Sequence, residues 1–261
     1  MALTAEGRFL TASNQRQQLS IASRAVDASK PIWQRVLSSQ SVWLAAQLEI
    51  LRRFHAESQS VEAAYLESYQ RAEGVRPSGI ERVPFPVQEM SAVMLINGPY
   101  SVKNFIGKGV SADVAIGKNF NKFSGMVRRQ VLSGGRMMVD ATTAGDSRAV
   151  GWRRVTDGDP CTFCAMLASR GPVYQSEEKA VSIAGTGLEY HGHCGCTAEV
   201  VYGEWIPNKL EQGFIDSYDA AAREAAREDG VRTQDTVLWR MRRNGEFRDS
   251  GSVRNKSSEP E

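Results

Sequence analysis

All four cysteines of this chain and two of its three histidines fall into two short clusters. Cys161 and Cys164 form a Cys-x-x-Cys pair. The second cluster reads His191-Gly192-His193-Cys194-Gly195-Cys196. Soft thiolates and borderline imidazoles in two tight groups, about 30 residues apart, are what a tetrahedral Zn²⁺ ion takes. Two disulfides would also use paired cysteines, but they need an oxidising compartment. The opening residues, Met1 to Arg8, have no apolar run after a basic start, so a reducing cytoplasm is expected and the metal reading is preferred. A redox dithiol would explain neither the second pair nor the histidines. The candidate ligands are therefore Cys161, Cys164, His191, Cys194 and Cys196, supplying either three sulfurs and one imidazole or four sulfurs. The His191-x-x-Cys194 spacing lets both side chains face one ion, whereas His193 directly abuts Cys194 and is expected to point away. Four protein ligands leave no position for a reactive water, so the zinc is expected to be structural and its binding energy to be folding energy.

The elements that must position these residues are mostly helical. A helix is expected from about Thr4 to Ser29, broken or restarted at Pro31. A second runs from about Val42 to Glu73, with Ser41 as N-cap and Gly74 just past its end. Trp43, Ile50, Phe54, Val61 and Ala64 form its apolar stripe, widened by Leu44, Leu48, Leu51 and Leu66. At ~32 residues it would be ~48 Å long, which suits antiparallel packing or a partner chain. Pro77, Gly79, Pro84 and Pro86 mark an extended linker. Helical pattern returns at about Gln88 to Ile96, after Pro99, and from Ser111 to Ala144, where Gly134-Gly135 reads as a kink or a close backbone approach. Val150 to Val155 reads as a strand, Asp157 to Pro160 as a tight turn delivering Cys161, Cys164 to Arg170 as a short helix, and Thr197 to Tyr202 as a returning strand. The fold class expected is mainly α with a small C-terminal zinc-stabilised α+β module, treble-clef-like or ribbon-like. The expected segments are an N-terminal helical region (1–74), a linker and helical middle region (75–148), the zinc core (149–206), a C-terminal helical segment (207–248) and a polar, disordered tail (249–261). Trp152, Trp205 and Trp239 are expected to pack against the zinc unit or the C-terminal helix.

Composition narrows the function classes. Hydrophobic residues are 41% of the 261, enough for a packed core, and the net charge of +2 gives no bulk argument for nucleic acid. No apolar run approaches the ~20 residues that cross a bilayer. Arginines near the cluster (Arg128, Arg129, Arg136, Arg153, Arg154, Arg170) and beside Trp239 (Arg240, Arg242, Arg243) could touch a phosphate backbone, or simply be helix faces. As for proteolysis, there is no Gly-x-Ser-x-Gly elbow and no His-Glu-x-x-His helix, and His55 sits in a helical stripe. A Ser-Lys dyad has no spacing that a sequence reveals.

The stretches GWRRVTDGDPCTFCAMLASRGPVY and YHGHCGCTAEVVY, with VLSGGRMMVDATTAGDSRAVGW upstream and LTASNQRQQLSIASRAV near the start, resemble the MuF-like minor head proteins of tailed phages. The resemblance extends to about Glu204. It places the family's His, Cys and Cys on His191, Cys194 and Cys196. Many relatives carry a basic or polar residue between the last two cysteines, where this chain has Gly195. The resemblance implies a virion protein of head morphogenesis, made in the host cytoplasm and then held in the head interior, with the portal protein and the major capsid or scaffold protein as partners, weak contact with packaged DNA, and no membrane. Because the group is often labelled a capsid maturation protease, that activity is the alternative it carries.

Overall fold

The computed structural model describes residues 2–80, 82–173, 191–230 and 232–251. Three long helices organise it. α1 is Ala5–Trp33, α2 is Gln40–Ala72 and α5 is Ala112–Gly145. Between α2 and α5 lie an extended stretch, α3 (Val87–Leu95), a π-helical turn (Ile96–Tyr100) and α4 (Ser101–Gly107). Then follow β1 (Gly151–Val155), α6 (Thr162–Ala168), β2 (Thr197–Val201), α7 (Lys209–Asp229) and α8 (Gln234–Asn244). The chain is thus mainly helical, and among the described residues there is one antiparallel strand pair, in which Gly151 lies opposite Val201 and Val155 opposite Thr197. Among the described residues no helix is long and apolar enough to cross a membrane.

α1 and α2 form an antiparallel hairpin. Its open end is tied by one carboxylate: Glu73, at the end of α2, accepts from the backbone N–H groups of Leu3 and Thr4 at the start of α1. Thr4 caps α1 by accepting from Gly7 N–H at 2.8 Å, and a carboxylate suits a helix N-terminus. Gly74 closes α2 in the left-handed conformation at φ 73°. The N-cap of α2 is Ser39, two residues earlier than the expected Ser41. Pro31 does not break α1 as expected: the helix continues to Trp33. A proline costs one helical hydrogen bond. Here Trp33 is fully buried, stacks on Phe123 at 4.4 Å and donates its indole N–H to Ile116 O, which holds the last turn in place.

α5 crosses the hairpin at Gly134-Gly135. A Cβ at Gly134 would stand 2.6 Å from the backbone oxygen of His55, so only glycine lets α5 come this near to α2. The glycine pair is a close approach inside a continuous helix. A polar layer fills the crossing. Gln18 and Ser58 exchange hydrogen bonds, Gly135 N–H donates to Ser58 Oγ, and Asn14 and Gln18 donate to Glu62 Oε2 at 3.0 and 2.9 Å.

Two apolar clusters lie along this frame. One joins Trp33, Trp43, Met90, Met94, Val102 and Phe123 at the hairpin's closed end. The other joins Tyr65, Tyr69, Met138 and Val139 of the long helices to Trp152, Val200, Phe214, Val237 and Met241. The second cluster therefore draws on four of the expected segments at once. Trp152 is buried there and donates to Asp140 on α5, and the Trp205 ring covers Gly171. Trp239 departs from expectation: it is 42% exposed, because Val237, Leu238 and Met241 take the buried face of α8. The expected disordered tail begins at 249, yet Asp249 accepts from the N–H and hydroxyl of Thr162 at 2.8 Å each. The rest of that segment, 252–261, lies outside the described residues.

Candidate metal centre

The first pair of donors leaves β1 through a turn in which Gly158 takes φ 88°. Gln15 of α1 steadies that turn by donating to Val155 O and Thr156 O. Cys161 is the N-cap of α6, and its sulfur accepts from Cys164 N–H at 3.5 Å. This is why a Cys-x-x-Cys spacing works: the cap and the first turn put both sulfurs on one side. The second cluster approaches from residue 191. A turn closed by Cys194 N–H donating to His191 O leads through His193, a non-glycine residue at φ 63°, to Cys194 and Cys196 and then into β2. The residues between, 174–190, lie outside the described residues.

The structure brings all five candidates together. Cys161, Cys164 and His191 form one triad whose donor atoms lie within 4.8 Å of one another, and Cys164, Cys194 and Cys196 form another. Cys164 is common to both. Its sulfur is 3.4 Å from that of Cys194 and 3.8 Å from His191 Nε2. His191 Nε2 is 2.8 Å from the sulfur of Cys161. All four cysteines are free thiols and buried. Paired disulfides are therefore not how this cluster is built.

The donor chemistry fits a metal ion. His191 Nδ1 lies 2.7 Å from Gly192 O; donation to that carbonyl leaves the Nε2 lone pair facing the sulfurs, the arrangement that metal-bound histidines adopt. Without an ion the cluster already divides into cation and anion. Contact with Cys164 pushes His191 up to about 9. Cys164 is itself pushed up by Cys161, but Cys194, Cys196 and His191 outweigh that and bring it down to about 5. Cys196 is pushed up, first by Cys164 and then by Cys194 and burial. Buried sulfurs that cannot all keep their protons form a pocket that favours a cation. The five residues could hold one.

His193 turns away from the cluster. Its Nε2 meets Asn121 O on α5 at 2.9 Å, and its ring lies over Gly125. Gly195 also has a steric reason: a side chain there would collide with Asp157 and come within 3.0 Å of Leu19. Three arginines near the cluster serve the interior. Arg153 is buried and paired with Glu199 at 2.6 Å and with Glu211. Arg154 is buried with its guanidinium 3.9 Å from the Cys164 sulfur. Arg136 donates to Cys194 O at 3.0 Å and to Cys196 O at 3.1 and 2.6 Å. These roles depend on long-range packing, and no local pattern in the sequence announces them.

His55, the remaining histidine, is buried among α2, α5 and Phe85. Gln59 meets its Nδ1, and its Nε2 has no hydrogen-bond partner among the described residues. Burial pushes it down to about 4. Among the described residues no hydroxyl or thiol hydrogen-bonds to it.

No curated protein and no solved structure matches the chain. A family model described as VG15 protein matches residues 10–221, which takes in α1 from residue 10, all of α2 and α5, both halves of the donor cluster and the strand pair. The chain therefore belongs to the VG15 protein family, a family of viral (phage) proteins.

Proposed function

We propose that this chain is a minor head protein of a tailed phage, of the MuF-like kind, whose C-terminal module is fixed by a structural zinc ion. The convergence of four thiols and one imidazole in a buried site carries this reading, within a chain of a viral family. Cys161, Cys164, His191 and Cys194 are the ligands: His191 presents Nε2 to the first pair, and Cys194 is the near sulfur of the second. Cys196, whose sulfur shares a donor triad with Cys164 and Cys194, is the spare thiol. The bound ion would supply folding energy and a closed coordination shell, with no place for a reacting water. The protein acts in head assembly, in the host cytoplasm and then in the head interior. Its partners are the portal protein and the major capsid or scaffold protein, and contact with packaged DNA is weak.

Elemental analysis of the purified chain is expected to find about one zinc per molecule. Locating the chain in assembled particles tests the head assignment independently, with the vicinity of the portal as the expected position. Specific cleavage of capsid or scaffold protein that disappears on mutating a serine or His55 would replace this reading with the protease one.

A further inference from the structure

α5 grips the second half of the donor set at two points. Arg136, buried and placed beside the helix crossing, spans the carbonyls of Cys194 and Cys196 with its guanidinium. About three helical turns away, the ring of His193 sits on Gly125 and meets Asn121 O. Both ends of the His193-to-Cys196 segment are thus pinned to one helix, through His193 and through the backbone carbonyls of the two cysteines. The neighbouring Gly135 is fixed in turn by its N–H to Ser58 on α2. A planar fork that reaches two carbonyls is specific to arginine; a lysine ammonium is a point donor.

We propose that α5 is the template that holds the second half-site in its ligating conformation, with Arg136 as its positioning residue, so that metal affinity and the packing of α5 are two faces of one coupling. This rests on the metal reading above. Linkage makes the coupling reciprocal: if α5 raises the affinity for metal, bound metal stabilises α5 by the same factor. Residues that orient metal ligands change affinity by about 10–100-fold when lost, and that is the effect assigned to Arg136.

The test measures zinc affinity of the full chain by competition with a chromophoric chelator, for wild type, Arg136→Gln and Arg136→Lys. Both variants are expected to bind about 10–100-fold more weakly, lysine included, because it keeps the charge and loses the fork. Co²⁺ absorption serves as a check that the ligand set itself is unchanged. Hydrogen exchange of 130–140 is expected to speed up when wild type is stripped of metal, and to change much less in Arg136→Gln. A purely structural arginine would lower the melting temperatures of the metal-free and metal-bound forms alike and leave the affinity alone. Should Arg136→Gln not fold, Gly125→Ala attacks the other grip, because its Cβ would meet the His193 ring at 2.6 Å. Variants that bind zinc within about twofold of wild type, or a wild-type α5 indifferent to chelation, would overturn the coupling alone. A wild type that takes up no metal would sink the zinc reading and this proposal together.

Discussion

Glu62 is the residue whose chemistry is most at odds with its place. It is fully enclosed between α1, α2, α5 and β2, and one of its oxygens, Oε1, has no hydrogen-bond partner among the described residues. Burial pushes its carboxyl up to about 8, against the pull of Asn14, Gln18 and Arg136. A raised folded-state value means the folded chain holds a proton that the unfolded chain releases. The associated stability is complete below about pH 4.5 and is lost as pH rises through about 8. At ~1.4 kcal/mol per tenfold change in proton affinity, the loss approaches ~5 kcal/mol. Glu62→Gln is expected to flatten the fall in urea midpoint between pH 5 and pH 9; an unchanged slope would show that Glu62 is ionised throughout. No residue pattern around Glu62 distinguishes it from the exposed acids of α2. Its burial comes from three other elements, and only the assembled fold reveals it. The metal donors are the opposite case, because cap-and-turn spacing writes a Cys-x-x-Cys site into adjacent residues.

Among the elements, α5 does the most positioning. Gly134 lets it touch the backbone of α2, Gly135 admits Glu62 and Gln18, Arg136 reaches the second half-site, and Gly125 seats His193. Gly134→Ala would force a methyl against His55 O with no flexible side chain to yield, so a loss of about 1–3 kcal/mol is expected by denaturant titration. Gly117 makes a control on the same helix, since nothing lies within 4 Å of a Cβ there. Helix propensity alone would make Gly117→Ala neutral or stabilising by up to about 1 kcal/mol. The long helices are legible as elements because their apolar stripes persist over many turns. The continuation of α1 through Pro31 is not legible, because it depends on a tertiary anchor: the stacking of Trp33 on Phe123 outweighs one missing helical bond. The glycine pair is legible as a close approach or a kink, and the structure selects the first.

At the scale of the molecule, the strand pair, α6, α7 and α8 share one apolar cluster with the far ends of α2 and α5. The C-terminal module is therefore expected to lose structure together with part of the bundle. Cys194→Ser, or chelation of wild type, is expected to lower the thermal midpoint, with tryptophan fluorescence and far-ultraviolet circular dichroism moving in one transition. Two well-separated transitions would mean that the module stands alone. Sequence patterning conveys a mainly helical chain with a small strand pair, but not this sharing of core, since periodicity reports which face is buried and not what covers it. One further feature bears on how the protein is made. Arg248 donates to Pro160 O and His193 O and pairs with Asp157, while Asp249 holds Thr162, so the clasp over both half-sites comes from a segment that follows both donor clusters in the chain. On the ribosome the sulfurs emerge well before these residues do. The nascent centre stays unclasped until residues 248 and 249 have been made.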